Sequence, residues 1–196
     1  MARTKNAASL QTRQRILDAA LDQFHLRGYN GTSVQDIVDA AGAPKGTFYN
    51  HFSSKQDLAV EALRLYAGNI GLDSLVGSTD GSPLERIEEH LAHIVGLGLA
   101  VFAERGCLMA NLAGEVPAHS QVVASVVGAY LDEWVANLAA LIDEAKAAGE
   151  LTTGIASTDL AEFIVDAFEG GAVKAKATSS AEPIARFQRS VAQILH

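Results

Sequence analysis

The sequence predicts an all-α protein, and three observations support that class. Hydrophobic residues make up 48% of the 196 residues, whereas aromatic residues make up only 6%, a composition that favours packed helices over paired strands. Apolar residues recur at helical spacing, and no segment alternates as a strand does. Caps and breakers stand where helices would begin and end. We expect about nine helices, in a small domain at residues 1–53 and a larger one at residues 54–196.

Cysteine usage and hydropathy exclude several classes of protein. The single cysteine, Cys107, excludes a disulfide within the chain and a zinc site built from several cysteines. No stretch of about 18 uncharged apolar residues occurs, and no apolar run follows the basic start of the chain. We therefore expect a cytoplasmic protein, with no metal ion and no cofactor.

The charge is distributed unevenly along the chain. The net charge is −8, yet residues 1–57 carry seven basic and five acidic side chains. The rest of the chain carries eight basic and eighteen acidic side chains. Because phosphate groups repel an acidic surface, only the N-terminal quarter could approach a nucleic acid.

The N-terminal quarter shows the pattern of three short helices. The apolar stripe over residues 13–27 ends at Gly28, a natural stop after a helix. Thr32 and Gln35 form a capping-box pattern that starts the second helix, and Gly42 ends it. Pro44 is predicted at the first position of a third helix. Two helices joined by a tight glycine turn indicate a helix-turn-helix unit.

Helices also account for the rest of the chain. A long helix should start at about residue 54 and end near residues 77–81, where glycines follow. Ser82 and Glu85 form a second capping box, with proline between them. Pro117 should open the longest helix. The helices after the first long one are expected at residues 82–105, 107–113, 117–149, 157–178 and 183–195.

One block carries the functional information. Residues 42–58 read Gly-Ala-Pro-Lys-Gly-Thr-Phe-Tyr-Asn-His-Phe-Ser-Ser-Lys-Gln-Asp-Leu. Together with Gly28-Tyr29 and Thr32-Ser33-Val34, this block resembles the recognition-helix region of the TetR family. The resemblance covers about residues 10–65, and beyond that only the helix order matches. It implies a sequence-specific DNA-binding regulator that binds palindromic double-stranded operator DNA as a homodimer, typically a repressor released by a small molecule.

The residue types in the block suit contact with DNA. Gly46 keeps the third helix slim enough for the major groove, and Lys45 can reach a phosphate or a guanine edge. Thr47 can meet a base edge, while Tyr49 can donate to a phosphate. By the resemblance, the DNA contacts are Thr32, Ser33, Gln35, Lys45, Gly46, Thr47, Tyr49, His51 and Lys55. Alternative interpretations make Thr32 primarily a cap, His51 a solvated helix end, and Phe48 and Phe52 core residues.

The resemblance assigns ligand binding and dimerisation to the rest of the chain. The candidate ligand or sensor residues are Tyr66, Phe102, Cys107, Met109, Tyr130, Trp134, Phe163 and Lys176. Trp134 is favoured because a buried indole nitrogen needs a partner, although each of these residues could be ordinary core. The last two helices should pair with their copies in a dimer. The interface candidates are Phe163, Phe168, Gly171, Phe187, Val191 and Ile194.

Cys107 raises an alternative trigger. A cysteine at a helix start favours the thiolate, and Gly106-Cys107-Leu108 looks like a TetR subgroup that senses oxidants or electrophiles. The resemblance supplies Lys176 as a partner for the sulfur. The competing interpretation is a small, inert, buried cysteine.

Two further function classes are disfavoured. An enzyme needs a nucleophile, a base and an orienting group, and the sequence offers only Cys107 with a distant histidine. A ligand-binding dimer that has lost its DNA-binding role is disfavoured by the intact block at residues 45–52.

Overall fold

The computed structural model of the chain describes residues 2–72, 75 and 80–196, with side chains from residue 7 onward. Every regular element within these residues is helical, which confirms the all-α class. The helices with both ends described are α1 (Ala2–Arg27), α2 (Val34–Ala40), α3 (Lys45–Phe48), α4 (Lys55–Asn69), α5 (Pro83–Gly96), α6 (Leu99–Arg105), α7 (Leu108–Glu115), α8 (Gln121–Ala147), α9 (Ser157–Thr178) and α10 (Glu182–Leu195).

The chain forms two compact units that are not contiguous in sequence. The first comprises Met1–Tyr66 and Asn111–Val127, and the second comprises Ala67–Ala110 and Gly128–His196. Helices α4, α7 and α8 each run from one unit into the other. The boundary expected after residue 53 stays a prediction.

The first unit is built on the apolar stripe of α1. Ile16, Ala20 and Phe24 are fully or almost fully buried, and α1 packs against α2. Ile37 and Val38 supply the buried face of α2. Helical spacing of apolar residues thus produces the expected three-helix core.

The capping box of α2 lies one residue later than the sequence predicts. Ser33 is the N-cap: its hydroxyl accepts from Asp36 N at 3.1 Å, and its own N–H donates to Asp36 Oδ2 at 2.8 Å. The prediction of Thr32 and Gln35 as the box is therefore wrong. The physical reason is that the Thr32 hydroxyl donates back to carbonyls at the end of α1, at 2.8 Å from Gly28 O and 3.1 Å from Gln23 O.

The second unit is organised around α8, α9 and α10. Trp134 and Leu138 of α8 are fully buried, and so are Leu160 and Ile164 of α9. Helix α9 packs on α10 and α6, and α10 also packs on α5. The Ser82–Glu85 capping box that starts α5 is confirmed, with Ser82 N donating to Glu85 Oε2 at 2.8 Å.

Three boundaries differ from expectation. Helix α4 ends at Asn69, before the predicted end at residues 77–81, part of which lies outside the described residues. The helix predicted over residues 82–105 is two helices, because Gly98 adopts φ +123° between α5 and α6. Pro117 lies in a 3₁₀ turn, Val116–Ala118, and α8 begins only at Gln121.

Helix α8 is long and apolar enough to span a membrane by length and composition alone, and α5 joined to the segment after it passes the same test as a bent pair. Core helices pass that test too. Trp134, Leu138 and Ile142 on one face of α8 are fully buried inside the chain, although most of the apolar window of this helix is not buried.

Candidate nucleic-acid interface

A tight turn joins α2 to α3 in the first unit. Gly42 has φ +59°, and its N–H donates to Asp39 O at 3.1 Å. The N–H of Ala43 donates to Val38 O at 2.9 Å. Pro44 is the N-cap of α3 rather than its first residue. This arrangement confirms a helix-turn-helix unit with α3 in the position of the recognition helix.

Two aromatic residues hold α3 on the core. Phe48 and Phe52 are buried, with ring centroids 5.8 Å apart. The guanidinium of Arg13 lies 4.8 Å from the centre of the Phe52 ring and pairs with Glu61. The core interpretation of Phe48 and Phe52 is thus confirmed, and both rings are excluded as base-stacking groups.

The opposite face of α3 is open. Lys45 and Gly46 are exposed, and Tyr49 is 60% exposed. A Cβ added at Gly46 would meet no atom within 4 Å, and Gly46 has no positive φ. Since neither packing nor backbone conformation requires glycine there, the reason for this residue lies outside the fold. Thr47 is half-buried beside it.

His51 follows α3 and is half-buried. Its ring centroid lies 6.5 Å from that of Phe52, in an edge-on arrangement. The two interpretations of His51, phosphate contact and solvated helix end, both stay open.

The N-terminus of α2 is already hydrogen-bonded to a carboxylate of the same helix, that of Asp36. The Ser33 hydroxyl and N–H both donate to the Asp36 carboxylate, at 2.5 and 2.8 Å. These hydrogen bonds lower the pKa of Asp36, so the group is charged where a phosphate was expected. Gln35 is exposed, and its amide donates to Asp39 Oδ1 at 2.7 Å. To donate its hydroxyl proton to DNA, Ser33 must give up Asp36, whereas Gln35 keeps a second N–H and a carbonyl oxygen available.

The side chain of Thr32 does not reach the surface. It is fully buried, and its hydroxyl donates within the α1–α2 turn. The expectation that Thr32 touches DNA through its side chain is wrong. The alternative, Thr32 as the cap of α2, is wrong as well, because Ser33 is the N-cap; the Thr32 hydroxyl instead bonds back to the end of α1. Its single hydroxyl proton is shared between two carbonyls near the end of α1, those of Gln23 and Gly28.

Lys55 is also occupied inside the first unit. Its Nζ donates to the carbonyls of Tyr29 and Thr32, at 3.0 and 3.1 Å, and lies 4.1 Å from the centre of the Tyr29 ring. Partial burial lowers the pKa of Lys55, and the charge of Glu115 opposes that shift. The expectation that Lys55 contacts DNA is therefore not supported, because two of its three donors bond to backbone carbonyls and its ammonium group lies over the Tyr29 ring.

Sequence reasoning missed Glu115 altogether. Its carboxylate accepts from Tyr29 N at 2.9 Å and from Asn30 N at 2.6 Å. Glu115 follows Tyr29 by 86 residues, so no local spacing could reveal the contact. The only indication in the sequence was an acidic residue near the predicted end of a short helix, with no local partner assigned to it.

An aromatic cluster fills the second unit. The Phe168 ring lies 5.5 Å from each of the rings of Phe102, Trp134 and Phe187, measured between centroids. The indole N–H of Trp134 donates to His90 Nε2 at 2.9 Å. The expectation that this indole needs a buried partner is therefore met by His90, and burial lowers the pKa of His90 to about 4.

Other ligand candidates are more scattered. Met109 is fully buried in the second unit, and Tyr130 is half-buried. Tyr66 is buried in the first unit, with its ring centroid 5.6 Å from that of His25. Phe163 is 54% exposed, so the expectation that it lines an interior pocket is wrong. Its position on the outer side of α9 turns the ring away from the core.

Cys107 is a donor to a buried carboxyl group. It precedes α7, as predicted, but it is only 1% exposed and its Sγ donates to Glu169 Oε1 at 3.2 Å. Burial raises the pKa of Glu169 to about 7, while hydrogen bonds from Cys107 and from the backbone of Ala110 oppose the rise. The second carboxyl oxygen of Glu169 is buried and has no hydrogen-bond partner, like His90 Nδ1.

These contacts disfavour electrophile sensing at Cys107. A reactive cysteine needs an exposed thiolate in an electropositive environment. Here the thiol is buried and its hydrogen-bond partner is an acidic group. Lys176, the partner expected by resemblance, is half-buried. We therefore regard Cys107 as part of the core.

The last two helices present a groove between them. Helices α9 and α10 form its walls, and Phe163, Val173 and Ile194 are apolar residues that remain exposed or half-exposed along these helices. The groove is lined by Phe163, Ala167, Gly170, Gly171, Lys174, Pro183, Arg186, Phe187, Ser190, Val191 and Ile194. Phe168, another interface candidate, instead lies in the aromatic core.

No group of three or more histidine, cysteine or acidic side chains suitable for a metal ion occurs among the residues that the structure describes. His90 is engaged with Trp134, and His93 Nε2 lies 3.1 Å from Asn69 O.

Comparison with known proteins agrees with the helix-turn-helix geometry. A family model described as bacterial regulatory proteins, tetR family, matches residues 16–62. A second model, tetracyclin repressor-like, C-terminal domain, matches residues 83–191, which is more than half of the chain. The helix-turn-helix unit with its attached helical body defines a DNA-binding regulatory protein, not an enzyme.

Relatives and solved structures extend the match over the whole chain. The HTH-type transcriptional repressor DhaR of Mycobacterium sp. (strain GP1) is 29% identical over 96% of this chain and 94% of its own length. The transcriptional regulator AcuR of Cereibacter sphaeroides is 30% identical over 90% of this chain and 82% of its own. The crystal structure of a regulatory protein TetR from Rhodobacter sphaeroides superposes with a TM-score of 0.82, at 28% identity, over 93% of this chain and 98% of that one. The chain belongs to the TetR family of transcriptional regulators.

Proposed function

We propose that this regulator is a cytoplasmic repressor that binds a palindromic operator as a homodimer and releases it when a small molecule binds. The observation that carries the proposal is the open face of α3, with Lys45, Gly46 and Tyr49 exposed above the buried Phe48 and Phe52. Such a face can enter the major groove without disturbing the core. The name of the relative DhaR, a transcriptional repressor, favours repression.

Three substitutions, two on α3 and one at its C-cap Tyr49, test operator recognition. A lysine that neutralises a phosphate contributes to binding on every sequence, so Lys45→Ala should weaken all DNA binding and flatten the salt dependence by about one unit. Tyr49→Phe should weaken binding moderately because one hydrogen bond is lost, and Thr47→Val should change sequence preference. Gel shift with the DNA flanking the gene and with selected duplexes measures all three. Unchanged affinity in both Lys45→Ala and Tyr49→Phe would exclude α3 as the recognition helix.

The groove between α9 and α10 supports the homodimer. Phe163 and Val173 leave apolar surface in water on α9, and paired half-sites require two linked recognition helices. Phe187 and Val191 line the groove but are almost fully buried within one chain, so substituting Phe187 would damage the fold itself. The sharper test uses Phe163.

Phe163→Glu should convert the dimer to monomers in sedimentation and abolish operator binding, because a charge would be placed in the interface. Val122→Glu is the matched control: this residue is 50% exposed on α8, near to Phe163's 54%, and should leave the dimer intact. A Phe163→Glu protein that stays dimeric would place the interface elsewhere.

The second unit supports binding of the effector. Among the described residues, three buried polar atoms without partners, Arg86 Nε, His90 Nδ1 and Glu169 Oε2, lie in the unit that holds the aromatic cluster. Native proteins rarely leave such atoms unpaired without a reason. A small, largely apolar molecule with one or two polar groups, or a cation, fits these features.

Trp134 provides the assay, since it is the only tryptophan. Compounds that release the operator should change the Trp134 emission at the same concentrations. Release without any change in emission would place the effector site away from this cluster.

A further inference from the structure

The turn between α1 and α2 is held by opposite charges from two sides. On one side the N–H groups of Tyr29 and Asn30 donate to the two carboxylate oxygens of Glu115, at 2.9 and 2.6 Å. On the other side Lys55 Nζ donates to the carbonyls of Tyr29 and Thr32, at 3.0 and 3.1 Å. We call Glu115 and Lys55 the turn clamp. Both residues lie outside the turn in sequence.

Gly28 makes room for the clamp. It has φ +76°, which L-residues with a side chain rarely adopt. A Cβ at this position would also lie 2.4 Å from Glu115 Oε2, so the carboxylate would have to move. The positive φ therefore favours glycine here, and a side chain at this position would in addition displace the carboxylate of Glu115.

The clamped turn leads directly into the DNA-binding helices. Ser33, the N-cap of α2, follows the turn, and Gly42 joins α2 to α3. Because these connections are short, the position of the turn determines where α2 begins and how α3 is oriented toward DNA. A second contact from the same segment strengthens this link: Ser120 forms a hydrogen bond with the Tyr29 side chain and donates to Gln56 Oε1 at 3.0 Å.

We propose that Glu115 is a positioning residue for operator recognition, which sets the α1–α2 turn and thereby α3 without binding DNA. The proposal rests on recognition of the operator by α3. It assigns a role in DNA binding to a residue outside the segment, residues 16–62, that matches the DNA-binding family model.

The charge of Glu115 and its hydrogen bonds to the turn predict opposite effects of a substitution on operator affinity. Glu115 is a negative charge in the unit that approaches phosphate groups, so removing it should strengthen DNA binding by reducing repulsion. Removing the clamp should weaken operator binding instead, since glutamine can accept with one oxygen only and would turn a donor toward the other N–H. The sign of the change therefore separates positioning from charge.

The experiment measures the affinity of wild type and Glu115→Gln for two duplexes at one salt concentration. One duplex is selected by the wild-type protein from a random library, and the other is a scrambled version of it. Concentrations are corrected for the active fraction by stoichiometric titration. We expect Glu115→Gln to bind the selected duplex about tenfold more weakly and the scrambled duplex within about twofold of wild type.

Two matched controls accompany the variant. Asp57→Asn removes one exposed negative charge from the same unit and should leave operator affinity unchanged or slightly higher. Gly28→Ala should reproduce the loss seen in Glu115→Gln, because its Cβ displaces the carboxylate. Gly149→Ala has the same backbone strain, at φ +75°, with no atom within 4 Å of the new Cβ, and should bind like wild type.

Each result decides the matter. Equal or tighter operator binding by Glu115→Gln overturns the proposal, and so does an equal loss on both duplexes, which indicates a loss of stability or of phosphate attraction. If Glu115→Gln does not fold, Gly28→Ala that binds as well as Gly149→Ala overturns it. Lys45→Ala and Tyr49→Phe in the same assay report on the recognition helix independently. Normal binding by both variants refutes recognition by α3 and with it the proposed function, whereas weaker binding by either of them together with normal binding by Glu115→Gln overturns only the role of Glu115.

Discussion

Glu169 gives this protein a pH-dependent stability that one substitution should remove. The carboxyl group is buried beside Cys107, and burial raises its pKa from 4.5 to about 7. The folded protein therefore binds a proton between these two values that the unfolded chain releases. The stabilisation is fully present below pH 4.5 and is lost as pH rises through 7.

The size of the effect follows from linkage. A pKa difference of this size corresponds to about 3 kcal/mol between pH 4.5 and pH 8. Glu169→Gln keeps the shape of the side chain and carries no charge at any pH. Its stability relative to wild type should therefore rise by about 3 kcal/mol from pH 4.5 to pH 8, on top of any constant offset from the new amide.

Urea unfolding followed by circular dichroism between pH 4.5 and pH 8 measures this difference. A single protein concentration is used throughout, because the proposed dimer would unfold in a concentration-dependent way. The pKa of His90, lowered to about 4 by burial, has its own effect over this range, but both proteins share it. Glu162→Gln, on the exposed side of α9, is the control and should run parallel to wild type. A constant difference between Glu169→Gln and wild type would refute a buried carboxyl that is protonated near neutrality.

Two buried side chains carry the remaining predictions. Thr32→Val should lower the free energy of unfolding by about 1–3 kcal/mol in urea, because the one hydroxyl donor shared by two buried carbonyls is lost, while the operator affinity of the active protein stays unchanged. Unchanged stability with weaker operator binding would instead restore Thr32 as a DNA contact. The Cys107 thiol, 1% exposed, should react with an aromatic disulfide reagent at least about tenfold more slowly in the native protein than in urea. Equal rates in the two states would contradict its burial.

Local patterns predicted the helix-turn-helix well. The apolar stripe of α1, the Gly42 turn and the buried pair Phe48 and Phe52 all depend on neighbours within a few residues. Spacing is sufficient for such features because backbone geometry fixes which side chains share a face. The break at Gly98 was missed because a single glycine within an apolar helical pattern is compatible with either a continuous or a broken helix.

Partners distant in the chain could not be predicted. The sequence identified Lys55 as a cation and Cys107 as a thiol at a helix start, but their contacts come from Tyr29, Thr32 and Glu169. A lysine can contact a phosphate or hold a turn, and a cysteine can be a sensor or a core residue. Which role each takes depends on the groups that the fold places against it.

The sequence by itself determined the all-α fold class, the family and the face of α3 that can contact DNA. Periodicity, caps and a short motif are sufficient for this because they are local properties of the chain. Only the tertiary structure decided which polar groups are free to act. Burial and pairing occupy Thr32, Lys55 and Cys107, and they bring the carboxylate of Glu115 to the turn that precedes α2. The physical reason is that desolvation and hydrogen bonding depend on every atom nearby in space, whatever its distance along the chain.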